Sequence, residues 1–430
     1  MNFDYPARRA RLARTLQLTD EILLVGAGNV QAKPEISDQV LPFIAHQEYY
    51  YLSGICNAPG GIIAYDPRAK TNRSGEDGWF FFVPRVTDAD RLWEGRQQLP
   101  GQLLGEFDSW LSARAGRKVI MLGAPVAGIS ANATRTAEAR DAFIHGRRQK
   151  EPVEIEILRR CAQKTAAGYA SILPCLKPGF TERRIQVELE AEYLRRGANK
   201  AGYDTIVGTG PNSAILHCTP SDRALREGDF VLIDSGAELD RYVIDVTRTY
   251  VAGKPTVFQQ DLYQIVLNAQ LHAIALCRPG VEWKDIHLSA AVELVSGLVD
   301  MGLMRGDPGL LVEQDAHLLF FPNGIGHMVG LGVRDASGLD PGRTKDPRPA
   351  LANLRMDLIL RPGYVVTVEP GIYLIPSLLN RPENRERFDA CINWPLVECV
   401  IDVGGVRLED TILVTDGPPE NLTRAIPKVM

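Results

Sequence analysis

Two stretches of the chain, Arg226-Glu-Gly-Asp-Phe-Val-Leu-Ile-Asp-Ser-Gly236 and Arg361-Pro-Gly-Tyr-Val-Val-Thr-Val-Glu-Pro-Gly371, spell one pattern: Arg-x-Gly, a strand-forming run, a carboxylate, then x-Gly. Upstream of them a second motif recurs, Lys177-Pro-Gly179 and Arg278-Pro-Gly280, each ahead of a helix-like stretch. Motifs repeated in the same order read as an internal duplication. Two half-domains then place Asp234 and Glu369 at the ends of equivalent strands. Halves that each deliver acids to a shared cleft suit the binding of two cations, which need several anionic oxygens close together.

With 430 residues the chain exceeds the roughly 100–200 residues of one domain, so two domains are expected. A net charge of -5 and the absence of any Lys/Arg-rich block with interleaved aromatics argue against nucleic acid as a partner. No apolar run approaches the about 20 residues of a membrane span, and Met1 to Ala10 lacks the apolar core of a secretory signal. The seven cysteines, at 56, 161, 175, 218, 277, 391 and 399, are scattered without Cys-x-x-Cys spacing. Neither a disulfide framework nor a zinc knuckle follows, and a cytoplasmic location is expected.

Along residues 1–149, the runs Glu21–Val25, Gly60–Tyr65, Trp79–Val83 and Lys118–Leu122 read as strands alternating with helical stretches such as Pro100–Arg114, giving an α/β domain. A boundary falls in Arg147-Arg-Gln-Lys-Glu-Pro152, where the proline suits the first turn of a helix. Residues 150–430 then form the duplicated domain, with Asp335–Asn353 loop-like and Ile375–Asp402 reading as an insertion.

Two further acids lie in apolar strand sequence: Asp245, eleven positions beyond Asp234, and Glu409 in Gly405-Val-Arg-Leu-Glu-Asp410. A lone ionised carboxylate in a core is costly, so such acids imply cations. The plainer alternative pairs them with Arg248 or Arg407. His327, after the glycine-rich Phe321-Pro-Asn-Gly-Ile-Gly326, and His217, before Cys218-Thr-Pro220, add imidazoles near the acidic strands.

Together, Leu232-Ile-Asp-Ser-Gly236, Ile244-Asp-Val-Thr-Arg-Thr249, Gly326-His327, Thr367-Val-Glu-Pro-Gly371 and Val406-Arg-Leu-Glu-Asp410 resemble the five-ligand signature of the pita-bread metallopeptidases. The similarity is greatest to the Xaa-Pro branch, prolidase and aminopeptidase P. His46-Gln-Glu-Tyr-Tyr-Tyr-Leu-Ser-Gly54 and Trp93-Glu-Gly-Arg96 resemble the creatinase/aminopeptidase P type N-terminal domain. The resemblance implies an α+β, pseudo-two-fold pita-bread catalytic domain behind an α/β N-terminal domain, and a homodimer.

It further implies that Asp234 chelates one metal, His327 and Glu369 the other, while Asp245 and Glu409 bridge them. Manganese is favoured for this oxygen-rich set, with zinc or cobalt as alternatives. Glu369 would shuttle a proton during hydrolysis of the Xaa-Pro imide bond of a di- or oligopeptide, and His217 would help hold the substrate. Arg355, Arg407 and Arg334 are the candidate substrate-binding cations. Arg355, in the long segment between His327 and Glu369, matches an arginine that binds a dipeptide's carboxylate in prolidases. With the 375–402 insertion it tilts the reading toward a dipeptidase, the aminopeptidase being the alternative favoured by Glu420-Asn-Leu-Thr423.

The pattern also departs from the family at two histidines, replaced by Asn323 and Arg334. An arginine donates but does not accept a proton near neutral pH. Arg334 therefore reads either as a clamp for a substrate carboxylate or as a surface partner of Asp335 or Asp340. A catalytically silent binding module and a metal-free creatinase-like hydrolase are the competing functional readings, and retention of all five ligands counts against both.

Overall fold

The four apolar runs of the N-terminal part become neighbouring strands of one mixed sheet. The computed structural model describes residues 3–34, 39–69 and 78–430, and the chain divides into two units, Met1–Arg147 and Arg148–Met430. In the first unit the strand order is Gln102–Leu103, Trp79–Val83, Ile62–Tyr65, Ile22–Gly26, Val119–Gly123. Ile22–Gly26 pairs parallel with Val119–Gly123 and antiparallel with Ile62–Tyr65. Phe82, Phe107 and Trp110 pack beneath it with Ile22 and Leu24. The helix expected over Pro100–Arg114 shrinks to Phe107–Ser112, because Gln102–Leu103 is drawn into the sheet edge beside Phe82 and Val83.

The second unit shows its duplication in the backbone. Pro152 opens the Pro152–Ile172 helix, where Glu154 accepts the Glu151 N–H at 2.8 Å. That helix packs against Glu182–Arg195, and in the second half Val257–Leu276 packs against Trp283–Asp300. The glycines between the helices, Gly179 and Gly280, adopt φ of +93° and +87°, a region that favours glycine. Each makes the same bond: Gly179 N–H donates to the Leu225 carbonyl at 3.3 Å, and Gly280 N–H to the Leu360 carbonyl at 2.9 Å. Leu225 and Leu360 return the bond to Phe180 and Val281, at 2.8 and 2.9 Å. Gly228 and Gly363, in the two Arg-x-Gly turns, donate to Ala252 and Val414 at 2.7 and 2.8 Å.

Beyond these turns run the acid-bearing strands. Phe230–Asp234 lies between Ile206–Thr209 and Thr247–Val251, and Val365–Val368 pairs with Asp410–Leu413, all antiparallel. A single register continues from Asp234↔Thr247 out to Leu239↔Tyr242, where the Asp240–Arg241 turn, with φ of +51° and +68°, closes the first arm. In the second half the register continues from Val368↔Asp410 to Tyr373↔Gly405. There the arm is closed instead by a long segment that includes the helices Pro376–Leu379, Pro382–Arg387 and Trp394–Val400. Leu379, Phe388, Ile392, Trp394 and Val397 of this segment are buried in the large core of the second half. Among the described residues, no helix is long and apolar enough to cross a membrane.

Candidate metal centre

The strand ends carry the acids to one place. Asp234 is the last residue of its strand, Asp245 lies two positions before Thr247–Val251, Glu369 follows Val365–Val368, and Glu409 precedes Asp410–Leu413. His327 arrives on an extended stretch that pairs with the same strand as Glu369. Thr367 N–H donates to the His327 carbonyl at 2.8 Å and Glu369 N–H to the Ile325 carbonyl at 2.9 Å. Gly326, at φ +156°, lets this stretch close on the strand, since a Cβ there would strike the Thr367 carbonyl.

Asp245, His327 and Glu409 each offer one atom, and these all lie within 4.8 Å of one another. His327 Nδ1 donates to the Met328 carbonyl at 2.9 Å, which turns Nε2 toward the acids. Nε2 stands 3.4 Å from Asp245 Oδ2 and 3.6 Å from Glu369 Oε1. Thr247 donates to Glu409 Oε2 at 2.7 Å, and the Glu409 N–H to the Thr247 carbonyl at 3.0 Å.

Tyr203 completes the centre and escaped the sequence reading. Its hydroxyl lies 2.8 Å from Asp234 Oδ1 and 2.6 Å from Asp245 Oδ1. One hydroxyl proton cannot serve both carboxylates at once. Burial, with Asp245 alongside, pushes Asp234 up to about 7, and burial with Asp245 and Glu369 nearby pushes Glu409 well above the ordinary carboxylate range. Burial acts on Asp245 in the same sense, but His327 and Tyr203 outweigh it and hold Asp245 below its usual value. The protein groups alone thus leave negative charge that they do not neutralise. An oxygen-rich donor set with one imidazole fits hard or borderline divalent cations.

The arginines divide. Arg248 is buried and pairs with Asp410 at 2.7 Å while also donating to the carbonyls of Glu409 and Ile426, so it braces the backbone behind Glu409. Arg407 is buried as well, and donates to Asp234 Oδ2 at 2.7 Å, Tyr373 Oη at 3.1 Å and Thr247 Oγ1 at 2.9 Å. The plainer pairing therefore holds for Asp234 and for none of the other three acids. A cavity of about 300 Å³ is lined by Asp234, Asp245, His327, Glu369 and Glu409, and also by His217, Arg334, Arg355 and Arg407. A second, of about 580 Å³, shares His217, Asp234, Asp245 and Arg334 with it and extends to Tyr203, Asp204 and Arg183. His217 is open to solvent there, and partial desolvation of its ring by the cavity wall, with Arg407 and Arg334 nearby, lowers its proton affinity. Asn323 donates to the Gly324 carbonyl at 3.1 Å and the Glu369 carbonyl at 3.5 Å, while its buried Oδ1 has no partner among the described residues.

A duplicated α+β unit with acids converging from both halves on a single histidine defines a pita-bread hydrolase with a metal centre. Residues 156–416 match the model of metallopeptidase family M24 and residues 5–109 that of the aminopeptidase P N-terminal domain, so the chain belongs to family M24 and is a metallopeptidase. The Xaa-Pro aminopeptidase of Escherichia coli (strain K12) is 36% identical over 280 residues, 65% of this chain and 57% of that one. A protein of Coccidioides posadasii (strain C735) named "Probable Xaa-Pro aminopeptidase PEPP" is 29% identical over 459 residues, 98% of this chain and 94% of its own. The structure of aminopeptidase P from Escherichia coli with the inhibitor Pro-Leu matches at a TM-score of 0.78 and 26% identity, covering 100% of this chain and 97% of that one.

Proposed function

We propose that the protein is a Xaa-Pro aminopeptidase, cleaving the bond before proline in peptides longer than a dipeptide. The observation that carries this is the convergence of Asp234, Asp245, His327, Glu369 and Glu409 on one cavity, in a chain whose full-length relatives are Xaa-Pro aminopeptidases. The dipeptidase preference gives way to its alternative. The relatives along the chain are Xaa-Pro aminopeptidases, and no residue of the 375–402 segment lines the cavity that holds the acids. The Glu420-to-Thr423 stretch instead buttresses the site, since Asn421 and Thr423 donate to the two oxygens of Asp410 at 2.8 and 2.7 Å.

In this reading Asp234 would hold one cation and His327 and Glu369 another, with Asp245 and Glu409 contributing to both, and manganese is the favoured ion. Bound there, two divalent cations supply Lewis acidity toward the scissile carbonyl and acidify water. Glu369, the least buried of the four acids, takes the proton of the attacking water and passes it to the proline nitrogen as the bond breaks. The departing nitrogen needs that one proton to leave as the neutral secondary amine of proline. His217, on the shared wall of both cavities, orients the peptide. Tyr203 and Arg407 fix Asp234.

The test is cleavage of Ala-Pro-Ala against Ala-Pro by metal-stripped protein with Mn²⁺ restored. Tripeptide cleavage, lost by roughly 10²–10⁴-fold in Glu369→Gln, is expected. Preference for the dipeptide would reinstate the dipeptidase, and no cleavage of either would overturn the reading.

A further inference from the structure

Arg334 carries an exposed guanidinium on a stiff support. Leu331 N–H donates to Asp335 Oδ2 at 2.9 Å, Gly332 N–H to the Arg241 carbonyl at 2.9 Å, and Asp335 N–H to the Met328 carbonyl at 3.1 Å. Beneath the turn, Lys150 Nζ lies 2.9 Å from Asp335 Oδ2, both side chains being at most 1% exposed. The two acids that could have neutralised Arg334 are therefore engaged elsewhere: Asp335 by Lys150, and Asp340 by Arg148 at 2.7 Å. Among the described residues no ion pair forms to Arg334 itself. Four residues line both cavities, His217, Asp234, Asp245 and Arg334, so this cation stands where the two cavities meet beside the candidate metal centre.

Charge sets what the junction favours. The 300 Å³ cavity is lined by four acids and by Arg334, Lys345, Arg355 and Arg407, of which only Arg407 is paired with one of the acids. Two divalent cations on the acids would leave the remaining cations facing the substrate uncompensated. A guanidinium presents a charged fork that matches a carboxylate in two bonds, whereas an ordinary imidazole presents a single ring edge and is largely neutral above pH 7.

We propose that Arg334 is a specificity-determining residue that grips a carboxylate of the peptide, so that this enzyme selects Xaa-Pro peptides with an anionic group close to the scissile bond. This rests on the Xaa-Pro aminopeptidase reading. The carboxylate has two possible sources, an acidic residue before proline or the free C-terminus of a short peptide.

Two substrate pairs separate them: Ala-Pro-Ala against its C-terminal amide, and Glu-Pro-Ala-amide against Gln-Pro-Ala-amide. The anionic member of one pair is expected to be preferred by roughly tenfold to a hundredfold in kcat/KM, mainly through KM. Arg334→Met and Arg334→His collapse that ratio, and Arg334→Lys keeps part of it. Calorimetry with the metal-stripped protein gives a second readout. If the first pair shows the preference, Pro-Ala binds more tightly than its amide, and Arg334→Met removes the difference; if the second does, Glu-Pro-amide against Gln-Pro-amide takes its place. Equal treatment of both pairs by the unmodified enzyme, or a preference that survives Arg334→Met, overturns the clamp and leaves the aminopeptidase reading standing. Failure to cut any of the four peptides overturns both.

Discussion

Set by strand register, the first half of the C-terminal unit falls on the second with Asp234 on Glu369, yet the chemistry along the paired strands differs. Opposite Leu232 the first half has Gly208, and at the corresponding place opposite Thr367 the second has His327. Opposite Asp234 stands Thr247, whereas the same register sets Glu409 opposite Glu369. Asp245 corresponds to Arg407, a base in place of an acid. Duplication supplied the scaffold and one pair of acids. The rest of the constellation arose by divergence, and it makes the two sides of the acid cluster unlike: one carries an imidazole, the other an acid already bonded to a guanidinium.

His327→Gly, which copies the first half's residue into the second, tests this asymmetry most severely. Metal content should drop, and kcat/KM should fall by at least the ~10–100-fold typical of outer-shell losses; retained metal would mean that the imidazole is dispensable. Tyr203→Phe removes the hydroxyl shared by the first half's two acids. Metal affinity is expected to weaken by roughly 10–100-fold, and an unchanged titration would show the hydroxyl to be incidental. Trp394→Ala probes the second half's long arm, which supplies core and lines neither of the two cavities at the acids. It should cost about 3–5 kcal/mol in urea unfolding while the folded enzyme keeps its peptidase activity; a selective loss of turnover would tie the arm to the site.

A pH-dependent effect lies in the second half, where His287 and His317 are buried. Burial, with His317 beside it, lowers His287 to about 3, and burial with Arg348 lowers His317 to about 4. The unfolded chain binds more protons than the folded one between these values and the ordinary histidine value near ~6.5. Stability should therefore be full above that pH and decline below it, by up to about 1.4 kcal/mol per pH unit for each ring. Replacing both with Gln should flatten that decline, and an unaltered profile would locate the acid sensitivity elsewhere.

The half-domain skeleton was legible because its turns need particular residues. Glycine at 179, 228, 280 and 363 marks left-handed turns, and the apolar runs between mark buried strands. The acids were legible because carboxylates are conspicuous in strand sequence. Tyr203 was not, since a tyrosine in Ala201-Gly-Tyr-Asp204 has no counterpart in the repeat and no pattern in its spacing from Asp234 and Asp245. The pairing of Lys150 with Asp335 was equally hidden, because it joins residues far apart in the chain through tertiary packing, whereas Arg407 stood among the arginines that the sequence offered to the acids. The expected Pro100–Arg114 helix misled because periodicity within a segment carries no information about a neighbouring sheet edge.

The single hydroxyl proton between Asp234 and Asp245 also fixes a proton inventory. With Asp234 raised to about 7 and Glu409 raised well above the ordinary carboxylate range, the protein without a cation holds protons among these acids that a cation must displace on arrival. Loading is then a competition in which acid favours the proton. The heat of metal binding should vary with the ionisation enthalpy of the buffer, and the affinity should weaken as pH falls through about 7.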